Sequence, residues 1–499
     1  MNESSGSRNQ PTGLVRELGL LGLAATGICS MLGAGINVVP FMLQRNVPDI
    51  GPWVLPAFLV GAIPAVLAAL AYAVLASAMP RAGGSYIHVS RALNPYLGFI
   101  ASFSQWFGLS IVVGVVAYVM VPFLRDVAAA MGYDGVAVTL ETGPIRVGLA
   151  LLFLWLFVAI NIRGIKIYER TLVPLMVVMF LLGGVVIVAG FSFDQDTYLR
   201  VLEASGAQIP EMRDAPFRWG AFLSASVVLF ASFIGFDSIA QAGGEARNPG
   251  RALPAAIGIA MFVVGSFYIL FTMAVYHTVP WQYVAQEAAL RDITAPGLLG
   301  VVLSPGWTVA IVGGAAVALL NDLPAMLLSL SRLMFAWAED GIFPKRLAAV
   351  HPRHHTPHVA IIASGAMASV GVLGSHFAGD FFLGVDIMVT SMLVNFALMC
   401  LAVLTLPKRN PKIAARVEVF RDARLREPLA AAGALILVAF LMIHIWKDLN
   451  ADADAWYFHS TPVWLIVMSV GTLIYFRERA ALQRAGVDLA ERFRTLPPE

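Results

Sequence analysis

The sequence predicts an all-α membrane protein of about twelve transmembrane helices. Three observations carry that prediction. Of its 499 residues 59% are hydrophobic and only 13% charged, against about 25% charged in soluble globular chains. Apolar runs long enough for a bilayer, about 20 residues each, recur twelve times along the chain. The first and sixth of these runs are interrupted by glycines. Mean hydropathy is +0.77. Together these values exclude a soluble enzyme, a disordered chain and a nucleic-acid binder, and a net charge of +2 implies no polyanionic partner. The runs are continuously apolar, which argues against the alternation of a β-barrel.

The polar stretch 1–13 has no apolar core followed by a small-residue cleavage site, so it reads as a disordered tail. The spans fall at 18–44, 50–80, 92–124, 147–162 and 171–193, then at 219–244, 252–282, 305–337, 358–374 and 381–406, and finally at 428–446 and 461–476. With the N terminus inside, inner loops and tails hold 25 of the 33 Lys and Arg, and outer loops hold 8. That bias predicts both termini in the cytoplasm. Seven of the inner ones lie in the loop 407–427. Cys29 and Cys400 sit in apolar runs and suggest neither a disulfide nor a metal site.

Span one contains Gly27 and the run Gly33-Ala34-Gly35-Ile36-Asn37, and span six contains Phe233-Ile234-Gly235-Phe236-Asp237. If the first ten spans form two five-helix halves, these breaks correspond. Paired breaks of that kind point to a transporter site near the midplane. Unwound backbone frees N–H groups for a carboxylate and carbonyls for an ammonium or a cation. Close helix packing is the alternative for the glycines.

Asp237, Asp322 and Asp386 lie inside spans, where a charge is costly and so marks a functional candidate. Asp322, beside Asn321 and before Pro324, is a candidate proton carrier, cation ligand or amine partner, or else a structural acid. Asp237 is a candidate ligand or a helix cap. Phe230, Phe233 and Phe236 are candidate gates or packing residues. His351, His354, His355 and His358 read as an ordinary loop rather than a zinc site. No Walker motif and no His-Glu-x-x-His appear. A polytopic membrane enzyme and a channel are therefore disfavoured, and neither catalytic residues nor a cofactor are expected.

These features, with four motifs, resemble the amino acid–polyamine–organocation permease superfamily. The motifs are Gly33-Ala34-Gly35-Ile36, the loop Pro80-Arg81-Ala82-Gly83-Gly84-Ser85-Tyr86, Gly235-Phe236-Asp237 with Gly244-Glu245-Ala246-Arg247-Asn248-Pro249, and the block from Ser331-Arg332 to Thr356-Pro357. The resemblance implies a LeuT-type 5+5 inverted repeat with discontinuous first and sixth helices. The divisions are a tail 1–17, a first repeat 18–193, a second repeat 194–406 with outer loop 194–217, a basic loop 407–427, two further spans in 428–476 and a tail 477–499.

It also implies alternating-access transport of an amino acid or related amine, with neutral substrates favoured over polyamines. The substrate carboxylate is expected on backbone amides around Ala34, Gly35 and Ile36, and its ammonium on carbonyls around Gly27, Ile28, Phe230, Ala231 and Phe233. Gly33, Gly235 and Asp237 are expected in the same site, with Asn37 as an added polar contact. Gly83, Gly84, Glu245 and Arg247 are expected inner-gate elements. Coupling to H+ or Na+ is expected to pass through Asp322, Asn321 or Asp237, or to be replaced by exchange. The expected partners are a small substrate and membrane lipid, in the plasma (inner) membrane. Oligomeric state is unreadable. Three departures stand out: Asn37 follows the break, Gly244 replaces an acid, and span five has no central lysine, Met179 or a neighbour standing there.

Overall fold

The computed structural model describes residues 14–212, 214–378, 382–451 and 455–497; the tail expected at 1–13 lies outside them. Among the described residues the architecture is helical, with two isolated backbone bridges and no strand. Eleven helices among these described residues are long and apolar enough to cross a membrane. Span one falls short of that length because it is broken: Leu20–Met31 ends, Leu32 and Gly33 are non-helical, and Ala34–Asn37 and Val39–Asn46 follow.

Span six is broken in the corresponding way. Trp219–Phe230 runs into a single tight turn, Ala231–Phe233, and the helix restarts at Asp237–Gln241. Gly235 has φ +137°, a conformation essentially confined to glycine. Irregular backbone at membrane depth is tolerated only where protein buries it. Both breaks meet that condition by facing each other: a Cβ at Gly235 would collide with the Ser30 carbonyl, and the Ser232 hydroxyl donates to the Gly35 carbonyl at 3.0 Å.

Spans three (Pro95–Ala130) and eight (Pro305–Glu339) form the centre, with 83% of their apolar windows buried, against 28% in spans four (Gly143–Ile162) and five (Ile165–Ser192), which face outward. Span three packs on eight, nine (His358–Ala378) and ten (Phe382–Arg409). Span seven (Pro249–Thr278) packs on spans one and two (Val54–Ala78). Spans eleven (Ala423–Leu449) and twelve (Ser460–Arg484) lie against span ten. The segment 194–217, read as loop, carries a helix, Gln195–Ala204. The Asp194 carboxylate caps its start by accepting the Thr197 N–H, and hydrogen bonding from the Thr197 side chain, together with that N–H, holds the Asp194 carboxyl below its ordinary pKa.

Candidate functional site

At the break of span one the glycines make room for a charge. A Cβ at Gly33 would collide with the Asp322 carboxylate. Span eight therefore lays an acid directly on unwound backbone, and that acid is buried. Asn321 anchors the neighbouring turn: its amide donates to Cys29 Sγ at 2.9 Å and to the Leu172 carbonyl at 3.3 Å. The Asn161 amide donates to the Pro324 carbonyl at 3.3 Å. Tyr268 of span seven donates its hydroxyl to the Met31 carbonyl, freed where the first half-helix ends.

Between the two breaks lies a cavity of about 40 Å³. Its polar lining is Ser30, the Gly35 backbone and Asp322. Its walls are aliphatic: Val112, Val115, Val116 and Val119 of span three, Ala231 and Ile234 of span six, and Met326, Val385 and Met388 of spans eight and ten. The chamber holds little more than one water's share of liquid, about 30 Å³.

Of the residues singled out from sequence, Gly35, Ala231 and Asp322 line this cavity. Gly33 lies under the Asp322 carboxylate, and Gly235 against Ser30 and Met31. Ala34 begins the short helix after the break. Others sit elsewhere. A Cβ at Gly27 would meet Ile239 and Ala260, so Gly27 serves helix packing. The Ile28 carbonyl accepts the Leu32 N–H at 2.9 Å. Ile36 and Asn37 face a separate cleft of about 20 Å³ that also contains Met179, and the Asn37 amide donates back to the Gly33 carbonyl at 3.1 Å.

Asp237 turns away from the cavity. One carboxylate oxygen accepts the Gly235 N–H at 3.1 Å, so it ties down backbone of the break itself; the half-helix begins after Phe236 without a side-chain cap. The other accepts from Gln105. Gln105 in turn accepts from Asn395 at 3.2 Å, and Asn395 donates to the Tyr72 hydroxyl at 2.7 Å. Tyr72 and Gln241 both reach the Ser85 hydroxyl, at 2.6 Å each. The three phenylalanines are buried outside the cavity as well. Phe230 packs on Phe396 and Phe440, Phe236 on Tyr72 and Phe396, and Phe233 on Phe58 and Tyr268. Asp386 approaches Lys447 at 3.8 Å.

The valines of span three are the largest group of lining residues that sequence reading missed, beside Ser30, Met326, Val385 and Met388. Their spacing, 112, 115, 116 and 119, is one helical face, but an aliphatic face in a membrane span looks the same whether it meets lipid, core or substrate.

The face bearing the first described residues is tightly closed. Leu18 exchanges backbone bonds with Glu245 and Arg247, at 2.9 and 2.8 Å. The Arg247 side chain is exposed, so Arg247 contributes through its backbone N–H. Gly83 has φ +70° and donates its N–H to the Gln241 carbonyl at 3.2 Å. Side chains at Gly83 and Gly84 would strike Arg332 backbone and the Ala240 carbonyl. Arg332 makes a two-pronged, fully buried pair with Glu245 at 3.0 and 2.6 Å. A second buried pair joins Arg91 to Asp340, which also accepts from the Tyr86 hydroxyl at 2.7 Å. In the nearby loop, His351 Nδ1 accepts the Arg353 and His354 N–H groups at 3.2 Å. Its ring packs at a tilt against His354, centroids 4.6 Å apart, an arrangement that shapes a turn.

The family model described as amino acid permease matches residues 18–470. A branched-chain amino acid permease of Bacillus subtilis is 26% identical over 488 residues, covering 94% of this chain and 95% of its own. An uncharacterized transporter of Mycobacterium tuberculosis is 31% identical over 366 residues, 72% of this chain and 74% of its own. Cationic amino acid transporter 4 of Mus musculus is 28% identical over 371 residues, 72% of this chain and 55% of its own.

Proposed function

This chain belongs to the amino acid permease family, and on that premise we propose that it is a secondary transporter of neutral, aliphatic amino acids working by alternating access. It is a multi-pass membrane protein that transports amino acids, not an enzyme. One observation carries the finer reading: a single acid and unwound backbone line a chamber whose remaining lining is mostly valine, isoleucine and methionine.

In this reading the substrate carboxylate takes backbone N–H groups at Ala34, Gly35 and Ile36, as helix N-termini favour anions. The ammonium lies against carbonyls freed at the breaks and against Asp322. The aliphatic side chain enters the valine face of span three, where apolar contact is worth about 25 cal/mol per Å² buried. Cationic side chains would need a second acid, and Asp322 is the one acid among the described lining residues. The name of the Bacillus subtilis relative agrees with an aliphatic pocket; that of the Mus musculus relative does not.

The chamber is too small for a whole amino acid, so binding must move the breaks apart. The expected motion is a rocking of spans one, two, six and seven against the rest, within the division 18–193 and 194–406. Asp322 then couples transport to H+ or Na+, or the protein exchanges substrates. Both termini are assigned to the cytoplasm and the protein to the plasma membrane.

The test is counterflow in proteoliposomes with leucine, isoleucine, valine, lysine and spermidine, each with and without a Na+ or pH gradient. Uptake of the branched-chain set with lysine excluded is expected. Lysine or spermidine transport at equal efficiency would overturn the aliphatic assignment.

A further inference from the structure

A second, larger cavity opens on the outer surface between spans two and seven. Its volume is about 820 Å³, within the ~300–1,000 Å³ typical of ligand sites. Its walls are small or aliphatic, including Ala62, Ala69 and Ala73 of span two and Gly258 and Gly265 of span seven. It follows span seven from Arg251 to Ile269, five turns or about 27 Å, which approaches the ~30 Å hydrocarbon thickness of a bilayer. Phe262 and Val66 at its rim are 76% and 46% exposed.

One end of the groove is charged. The segment 418–421 closes it with Glu418, Val419, Phe420 and Arg421, and Arg251 sits opposite. The Glu418 N–H bonds the Ser77 hydroxyl at 3.1 Å, which fixes this segment to the end of span two. Arg251 lies only 3.7 Å from Glu418 and is 92% exposed. Arg421 is exposed. The surrounding loop 407–427 carries seven Lys and Arg against three acids. An apolar channel of acyl-chain length thus ends in a net positive mouth, on the side where anionic lipid attracts basic residues.

We propose that this groove is a binding site for one anionic phospholipid of the surrounding bilayer, its headgroup at Arg251 and Arg421 and an acyl chain lying along span seven. The floor of the groove gives the site a consequence for transport. Phe233 lines it and also packs on Tyr268, with ring centroids 5.5 Å apart. Tyr268 holds the Met31 carbonyl at the break of span one. A lipid chain against Phe233 therefore bears on both broken helices without entering the substrate cavity, and its presence resists any movement of span seven away from span two.

The experiment measures phospholipid retained by the purified full-length protein, and transport in proteoliposomes of phosphatidylcholine with or without phosphatidylglycerol. Wild type is expected to retain phosphatidylglycerol selectively and to transport at a different rate when it is present. Arg251→Gln with Arg421→Gln should lower that retention, about fivefold for each arginine near an anionic surface, and should abolish the rate difference. Gly258→Trp, at a position where a Cβ meets nothing within 4 Å, should displace the lipid by filling the channel. Thermal unfolding of each variant identifies any that misfold. Equal retention of neutral and anionic lipid by wild type would overturn the proposal, as would unchanged retention in both variants.

Discussion

The centre of the molecule and its closed face solve the same problem in opposite ways. Both hold polar groups in a low-dielectric interior. At the centre, the paired breaks of spans one and six use backbone N–H and carbonyl groups, three hydroxyl and amide contacts, and the acids Asp322 at the cavity and Asp237 on the Gly235 N–H. At the closed face, two arginines and two acids are joined as complete, buried ion pairs. Breaking a buried pair from one side leaves an uncompensated charge, whereas backbone groups at a break can exchange one partner for another. The difference teaches that the centre is arranged to change ligands, and the closed face to be either fully shut or fully open.

The largest expected effect tests the closed face. Arg332→Ala strands the Glu245 carboxylate and should cost about 3–5 kcal/mol, read as a lower thermal midpoint of the purified protein. A loss below about 1 kcal/mol would mean water already reaches the pair and the contrast with the centre fails.

Next comes acid sensitivity of the same face. His88, on the helix Gly84–Ala92, is buried, and burial pushes its pKa down to about 4. The unfolded chain takes up that proton near pH 6.5, so stability is intact above that pH and declines as pH falls toward about 4. The span of the shift corresponds to about 3 kcal/mol. Unfolding curves at pH 7 and pH 5 should differ for wild type and much less for His88→Asn.

At the centre, Gly235→Ala forces a side chain onto the Ser30 carbonyl at φ +137°. Strain of about 1–3 kcal/mol is expected, with transport falling more steeply than stability because the two breaks lose their fit. Retained transport would show that the breaks do not need to interlock. Asp322→Asn keeps the shape of the site but removes its charge. Transport should be lost or become independent of pH and Na+, while the thermal midpoint moves little; wild-type kinetics with unchanged ion dependence would reduce Asp322 to a packing residue. The smallest effect is one of selectivity. Val116→Ala enlarges the aliphatic wall, and preference should move from valine toward leucine or methionine by about 10-fold, the worth of a methylene or two in an apolar pocket. Competition uptake reads the ratio directly.

Much of this arrangement was legible before any coordinates. The spans, the placement of both breaks and the acid of span eight follow from apolar run length, from glycine where a helix must open, and from the cost of a carboxylate in a membrane. Other readings needed the third dimension. Asp237 occurs at the break, as its position in the chain says, yet its side chain points toward Gln105 and away from the cavity. Asn37 closes its own turn instead of facing the cavity. Phe230, Phe233 and Phe236 lie within one turn of the break and all point into aromatic packing.

The sequence by itself determined that this is an all-helical membrane protein, roughly where its spans run and which two of them break, because those properties depend on local chemistry along one chain; the helix Gln195–Ala204 outside the spans was not among them. The tertiary structure alone decided which face of each span meets the cavity. In a soluble helix the polar face announces the outside. In a lipid-embedded helix both faces are apolar, so the rotation about its axis is set by packing against neighbours such as Asp322 on Gly33 and leaves no periodic mark in the sequence.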